Sequence, residues 1–393
     1  MPESLPFKID IADADLDDLR TRLANTRWPA EFGNEDWSYG ANRGYLEEVV
    51  RYWLEEYDWR AQEEEMNSYA HFKTVIDEVP IHFIHERGKG PDPIPLLITH
   101  GYPMTFWDMN KLIKPLTDPA SFGGDPNVSF DVIIPSLPGH IFSSPLRKTG
   151  VNFMTTADLW VVLMREVLGY DRFAIHGGDW GSMVSQQLGH KYPEHIIGLN
   201  TTLTAQLGFW GGAPLPDEDA FAEDEKHLFA SNAQAGLEAA SHTTGTHIFD
   251  PQTQAYGFHD SPVMQLAWMT EIRRRWSDCG GDIETRFTKD ELITQTILYW
   301  LTETYVTAAR FYAEAARDPW KPVDDEKPVV RTPTALSLFP VEVYVMPQKM
   351  NEEHFDLRQT HHLPSGGHFA AMEEPELLVE ELRGFFGPLT GRA

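Results

Sequence analysis

Short apolar runs bounded by turn residues occur in two separate parts of this chain. Each run has about the length of a buried strand, and β-branched or aromatic residues fill many of its positions. The first two runs are close enough to predict a hairpin, and the later ones predict core strands. The runs are residues 71–76, 81–86, 96–99, 130–135, 171–176, 196–200 and 334–339. The pattern therefore predicts one sheet built from two separate stretches of sequence.

Helical patterning fills the rest of the chain. Residues 1–70 are helical and rich in aromatic residues, and strand signals stop again between 204 and 324. A helical segment inserted between two strand-bearing segments is expected to form a cap over the sheet. We therefore predict an α/β fold with a mostly parallel central sheet. It has an N-terminal helical region at 1–70, a core formed by 71–203 and 325–393, and a helical cap at 204–324.

Composition restricts the classes of protein that this chain can belong to. Its 393 residues and 41% hydrophobic content suffice for a large core with an insertion. The formal net charge of −28 argues against nucleic acid and anionic membrane surfaces as partners. Cys279 is the single cysteine, which excludes an internal disulfide framework, and no secretory signal is visible. We expect a soluble cytoplasmic protein, and the sequence contains no metal-ligand cluster or phosphate loop that would call for a cofactor.

The most informative motif lies at residues 177–181, which read Gly-Gly-Asp-Trp-Gly. It follows a predicted strand and precedes a predicted helix, as does the Gly-x-nucleophile-x-Gly turn of α/β-hydrolases. Asp179 stands at the nucleophile position, where most such turns have serine. An attacking carboxylate forms an alkyl ester, so the motif indicates epoxide opening or halide displacement rather than peptide or ester hydrolysis. Aspartate is also a common helix N-cap, and this motif alone does not exclude that simpler role.

A second turn of the expected kind follows the strand predicted at 96–99. It reads His-Gly-Tyr-Pro at residues 100–103. In this fold one oxyanion-stabilising N–H group follows the nucleophile, and the other comes from the loop after an earlier strand. These two groups would belong to Trp180 and Tyr102. A cis peptide bond before Pro103 fits such a turn.

The remaining catalytic residues are expected nearer the C-terminus, because the chain order in an α/β-hydrolase is nucleophile, acid, base. His368 lies there, after a Gly-Gly pair and before the last predicted helix. Glu342 directly follows the strand predicted at 334–339 and would orient the imidazole. Three rival acids lie further from that strand: Glu352, Glu353 and Asp356. We therefore predict a triad of Asp179, Glu342 and His368.

Taken together, these motifs resemble the microsomal type of epoxide hydrolase. The N-terminal region at residues 6–29 is similar to that of the family, as are the turns at 100–103 and 177–181. Residues 299–312 resemble the end of the family's cap, and residues 366–376 resemble the segment around its catalytic histidine. The resemblance covers nearly the whole chain. It implies the α/β-hydrolase fold, with a small-molecule epoxide and water as reactants.

The resemblance also implies a two-step reaction. Asp179 attacks an epoxide carbon, and His368, held by Glu342, then activates the water that hydrolyses the ester. Tyr312 matches one of the two cap tyrosines that support the epoxide oxygen in the family. Gly245 stands where the other is expected, so one tyrosine is missing. The residues that could replace it are Thr244, His242, His247 and Tyr256, and the sequence does not choose among them.

The substrate pocket is less constrained by the sequence. We expect His100, Trp268 and Phe369 to contribute to it, and analogy with the family makes a bulky epoxide of secondary metabolism a candidate substrate. Two other functions stay open: a haloalkane dehalogenase, which also uses aspartate often followed by tryptophan, and a catalytically weak protein that binds an epoxide or a lipid-like ligand. Tyr312 and the N-terminal region favour the epoxide hydrolase. A homodimer is compatible with the sequence.

Overall fold

The centre of the molecule is a nine-stranded sheet, seen in a computed structural model that describes residues 3–238 and 244–392. The strands are β1 (Leu5–Phe7), β2 (His71–Ile76), β3 (Val79–Glu86), β4 (Ile94–Thr99), β5 (Phe130–Pro135), β6 (Phe173–Gly177), β7 (Ile196–Thr201), β8 (Val330–Leu338) and β9 (Phe355–His362). Their order across the sheet is β1-β2-β3-β5-β4-β6-β7-β8-β9. The pairs from β1 to β5 are antiparallel, and all later neighbours are parallel. The predicted α/β fold with a mostly parallel sheet is confirmed.

The central strands are apolar throughout because both faces of the sheet are covered. Every residue of β5 and every residue of β6 is buried. Each predicted run contains or overlaps a strand, and the predicted hairpin is β2–β3. The prediction that residues 1–70 are helical misses β1, a three-residue strand that pairs with β2 at the sheet edge.

Fifteen α-helices lie within the described residues. They are α1 (Asp13–Ala24), α2 (Arg43–Glu55), α3 (Trp59–Met66), α4 (Asn110–Thr117), α5 (Phe153–Val162), α6 (Trp180–Lys191), α7 (Lys226–Glu238), α8 (Thr244–Phe249), α9 (Pro251–Asp260), α10 (Pro262–Trp276), α11 (Lys289–Leu301), α12 (Tyr305–Arg317), α13 (Gln348–His354), α14 (Ala370–Glu373) and α15 (Pro375–Leu389). Helix α6 packs on β7 and β8 and against α5, whereas α15 packs on the same strands and against α4. Two helix layers therefore enclose the sheet.

Helices α7 to α12 come between β7 and β8 and form a cap. Helix α10 packs between α9 and α11, and α12 packs against α8 and α9. The N-terminal helices hold this cap from outside, because α1 and α2 both contact α10. The hydroxyl groups of Tyr57 and Thr294 add a buried hydrogen bond of 2.9 Å between the N-terminal region and α11. None of the helices described combines the length and the apolar character that a membrane span requires.

Candidate active site

The turn between β6 and α6 presents Asp179 at the carboxyl end of the sheet. Asp179 has φ 50° and ψ −128°, a backbone conformation that residues other than glycine rarely adopt. Gly181 is required where α6 crosses β4, since a Cβ there would lie 1.9 Å from the Thr99 carbonyl oxygen. The Asp179 side chain makes no capping hydrogen bond to α6. The simpler role of Asp179 as a helix cap therefore has no support in the geometry.

One oxygen of the Asp179 carboxylate is held by the loop after β4. The N–H group of Tyr102 donates a hydrogen bond of 2.8 Å to Asp179 Oδ1. Gly101 permits this approach, because a Cβ at that position would lie 2.2 Å from the same oxygen. The Tyr102–Pro103 peptide bond is cis, as predicted. The second predicted N–H group belongs to Trp180, the first residue of α6.

The other carboxylate oxygen faces the predicted base. His368 Nε2 lies 3.3 Å from Asp179 Oδ2, and His368 Nδ1 lies 2.5 Å from Glu342 Oε1. A single β-bridge between Val341 and Gly367 joins the loop that carries Glu342 to the loop that carries His368. The structure thus brings Asp179, His368 and Glu342 together, with the predicted base between the predicted nucleophile and the predicted acid.

The two carboxylates control the charge of His368. Burial opposes the charged imidazolium, but the negative charge of Glu342 and hydrogen bonding to Asp179 outweigh it and raise the pKa of His368 to about 10. At neutral pH the imidazole is therefore protonated. As an imidazolium, His368 can donate a hydrogen bond to Asp179 but cannot accept a proton from water.

Tyr312 of α12 brings a phenol of the cap to the site, next to Trp180 and Tyr102. Its ring centroid is 4.7 Å from that of Trp180 and 6.2 Å from that of Tyr102. Burial, and then the negative charge of Asp179, raise the pKa of the Tyr312 phenol well above its usual range. Tyr312 is therefore a neutral hydrogen-bond donor at any physiological pH.

A cavity of about 110 Å³ lies between the nucleophile and the cap. It is lined by Asp179, Trp180, Met183, Leu203, Ala205, Trp210, Thr244, Trp276, Tyr312, Val343, Tyr344 and His368. Most of these side chains are apolar or aromatic, as expected for a site that excludes water from an apolar substrate. Sequence analysis did not predict that Tyr344 lines the cavity. It also did not predict the contribution of the segment after β7, which includes Leu203, Ala205 and Trp210. Two signals could have found them, since ligands bind at the carboxyl ends of parallel strands and Tyr344 closely follows the predicted acid.

The three side chains predicted to contribute to the pocket lie outside this lining. Both ring nitrogens of His100 are used in holding its own loop, at 2.7 Å from the Gly101 carbonyl oxygen and 3.0 Å from the Leu137 nitrogen. The ring of Trp268 stacks on that of Tyr102 in the loop after β4, with 5.2 Å between the ring centroids. The ring of Phe369 packs under the guanidinium group of Arg273 in the cap, at 4.6 Å. All three therefore pack behind the site. The sequence did not predict this, because strand and helix patterns do not fix the depth of a side chain.

The candidates for the missing tyrosine differ in position. Thr244 lines the cavity. His247 is buried with its ring 5.1 Å from that of Tyr312, and burial lowers its pKa to about 3, so its imidazole is neutral. Tyr256 is 74% exposed on the surface and is excluded. His242 lies outside the described residues.

Comparison with protein families identifies two regions of the chain. Residues 4–109 match the family described as "Epoxide hydrolase N terminus", and residues 94–256 match the one described as "alpha/beta hydrolase fold". No group of three or more His, Cys, Asp or Glu side chains in the described ranges is arranged to hold a metal ion.

Relatives and solved structures extend the similarity over the full length. A putative epoxide hydrolase of Stigmatella aurantiaca is 37% identical, covering 98% of this chain and 86% of the relative. Epoxide hydrolase 1 of Oryctolagus cuniculus is 34% identical, covering 97% and 88%. The crystal structure of juvenile hormone epoxide hydrolase from the silkworm Bombyx mori superimposes with a TM-score of 0.87 at 26% identity, covering 100% of this chain and 96% of that one. The structure of Aspergillus niger epoxide hydrolase gives 0.84 at 26% identity, covering 99% and 97%.

Proposed function

This chain belongs to the epoxide hydrolase family, and on that premise we propose that it opens an epoxide to a vicinal diol through an ester on Asp179. The observation that carries the proposal is the different treatment of the two carboxylate oxygens. Oδ1 is held by the N–H group of Tyr102, whereas Oδ2 faces His368 and the carboxylate lines the cavity. An oxygen held by a backbone donor is suited to become an oxyanion, and the other oxygen is suited to attack carbon.

In the first step, Asp179 Oδ2 attacks one ring carbon and the bond between that carbon and the epoxide oxygen breaks. The oxygen leaves as an alkoxide, which accepts a proton from Tyr312. While Asp179 is ionised, its charge raises the pKa of the phenol. Esterification removes that charge, so Tyr312 becomes a stronger acid as the alkoxide forms.

A second hydroxyl group is available where the family's other tyrosine is missing. Thr244 and Tyr344 both line the cavity with Tyr312. Burial raises the pKa of Tyr344, which keeps its phenol protonated. We assign the second contact with the epoxide oxygen to Tyr344, because a phenol is a stronger hydrogen-bond donor than an aliphatic hydroxyl group.

In the second step, His368 first loses its proton to solvent, because the ester no longer carries the charge of Asp179 that raised the pKa of His368. His368 then accepts a proton from a water molecule, which attacks the carbonyl carbon of the ester. Negative charge develops on Oδ1, where the N–H groups of Tyr102 and Trp180 stabilise it. The bond between that carbon and Oδ2 then breaks, Oδ2 takes a proton from the imidazolium of His368, and the diol leaves with Oδ2 as one of its oxygens. The new carboxyl group of Asp179 gives its proton to the phenolate of Tyr312, which restores both side chains. Glu342 stabilises the imidazolium cation that forms on His368.

An isotope experiment tests the ester directly. Excess enzyme is mixed with styrene oxide or a longer alkyl epoxide in H₂¹⁸O, and the diol and the peptide containing Asp179 are analysed by mass spectrometry. We expect an unlabelled diol in the first turnover and one ¹⁸O atom in the peptide. Label in the diol at the first turnover would mean direct attack by water and would refute the ester. Asp179→Asn should form no diol, while Asp171→Asn, whose side chain is 99% exposed, should react as the wild type does.

A second reaction, displacement of halide from a haloalkane, is favoured by one further observation. The indole N–H groups of Trp180 and Trp276 are buried without a hydrogen-bond partner among the described residues, and both side chains line the cavity. Two such donors could bind a departing halide ion. Halide release from 1-bromohexane, measured beside diol formation, distinguishes the two reactions.

A further inference from the structure

The histidine loop, residues 366–369, is attached to the cap as well as to the core. The N–H group of His368 donates a hydrogen bond of 2.9 Å to the carbonyl oxygen of Trp276, the last residue of α10. The N–H group of Gly366 donates to Asp278 Oδ2 at 3.0 Å. A Cβ on Gly367 would lie 2.6 Å from the Trp276 carbonyl oxygen, so the two segments are in direct contact. The position of the base therefore depends on the end of a cap helix.

Glu373 of α14 joins the same two segments through a single carboxylate. Its Oε1 accepts a hydrogen bond of 3.0 Å from the N–H group of Phe369, next to the catalytic histidine. Its Oε2 accepts one of 2.8 Å from the N–H group of Asp278, just beyond α10. Only 8% of Glu373 is exposed, and it is absent from the lining of the nucleophile's cavity. Its role is therefore separate from contact with the substrate.

Burial and the surrounding charges act in opposite directions on the ionisation of Glu373. Burial raises the pKa of Glu373 to about 7, opposed by its two backbone hydrogen bonds and by the positive charges of Arg286 and His368. Arg286 itself bonds to Asp278 at 2.9 Å and to Glu374 at 2.6 Å. Only an ionised carboxylate presents two acceptor oxygens to two N–H groups, whereas an amide would turn a donor towards one of them.

We propose that Glu373 is a positioning residue for the hydrolytic step, fixing the histidine loop to the cap so that His368 stays aligned with the Asp179 ester. The inference rests on the function proposed above and adds a residue to it. Attack on the epoxide uses Asp179 and Tyr312, and Glu373 holds neither of them. Activation of water uses His368, whose neighbouring backbone Glu373 holds directly. The two steps therefore differ in their dependence on Glu373.

The test is Glu373→Gln, with Glu376→Gln as the matched control on the exposed first turn of α15. Rates of ester formation and ester hydrolysis are measured separately by rapid quench and intact-protein mass spectrometry. We expect hydrolysis to slow by about 10- to 100-fold, since small displacements of a catalytic group have effects of that size. Ester formation should stay within about threefold. At steady state kcat and KM should then fall together while kcat/KM is unchanged, and the esterified fraction should rise.

Other outcomes separate this inference from the proposed function. An equal loss in both steps, or no loss in hydrolysis, would overturn the role of Glu373. If the wild type forms no ester at all, the proposed function fails whatever Glu373 does. Should Glu373→Gln not fold, Glu373→Asp keeps the charge but shortens the reach of the carboxylate to the N–H groups of Phe369 and Asp278, and the same selective loss of hydrolysis is expected. Hydrolysis at the wild-type rate in that variant would count equally against the inference.

Discussion

The charge of Asp179 should control the protonation of His368, and Asp179→Asn removes that charge with little change in shape. In the wild type, Oδ2 lies 3.3 Å from His368 Nε2, and the pKa of His368 is raised to about 10. Coulomb's law with an effective dielectric constant of 20 gives about 5 kcal/mol for unit charges at this distance. That figure is an upper bound, because 14% of the Asp179 side chain is exposed to water. We expect the pKa of His368 to fall by roughly one to three pH units in the variant.

The sign of this effect determines when the base can act. The ester intermediate, like the amide of Asp179→Asn, has no charge at this position. The imidazole of the intermediate should therefore lose its proton at a lower pH than the imidazole of the free enzyme. Hydrolysis should accelerate as pH rises through that lower value and reach its plateau below about pH 10.

The assay is NMR titration of enzyme containing ¹³C- or ¹⁵N-labelled histidine. His368→Gln identifies the resonance by its disappearance, and Asp171→Asn controls for the loss of one negative charge elsewhere. Glu342→Gln should also lower the pKa of His368, since Glu342 is the stronger of the two charge partners. The reasoning is refuted if His368 titrates at the same pH in the wild type and in Asp179→Asn.

Three further predictions concern the phenols, the cap and a helix. In single-turnover measurements, Tyr312→Phe should slow ester formation about 100-fold and Tyr344→Phe about 10-fold, while Tyr256→Phe on the surface should have no effect. Arg273 is 1% exposed and pairs with a buried aspartate at 2.8 Å. Arg273→Met should therefore lower the free energy of unfolding in urea by about 3–5 kcal/mol. A Cβ at Gly257 in α9 meets no atom within 4 Å, so Gly257→Ala should raise that free energy by about 0.5–1 kcal/mol.

The success of the strand predictions depended on the place of each strand in the sheet. The central strands are covered on both faces, so their sequences are apolar and easily recognised. β9 lies at the sheet edge, reads Phe-Asp-Leu-Arg-Gln-Thr-His-His, and has most of its side chains partly or fully exposed. β1 at the opposite edge has three residues. Edge strands of this kind are specified by backbone pairing with a neighbour, which leaves no apolar pattern in the sequence.

The sequence located the three side chains proposed as the triad but did not locate the cavity, for a related reason. Asp179 and Glu342 are located by strand ends, which the sequence marks clearly. The cap contributes through packing, as two tryptophans of α10 demonstrate: Trp276 lines the cavity, while Trp268 stacks behind Tyr102. Eight residues are about two helical turns, so both lie on a similar face but about 12 Å apart along the axis. Helical periodicity predicts the face and leaves the position along the axis to tertiary contacts.

On the proposed mechanism, the order of the two steps follows from a single charge. Ionised Asp179 raises the pKa of both Tyr312 and His368, so the free enzyme holds a protonated phenol and a protonated imidazole. Forming the ester removes the charge from between them. The phenol becomes more acidic when an alkoxide needs a proton, and the imidazole becomes able to accept one when water must be activated. Neither change requires the cap to move, which is consistent with a histidine loop bonded directly to the end of α10. Nucleophilic attack by Asp179 would thus itself lower the pKa of His368 and allow His368 to act as the base in the second step.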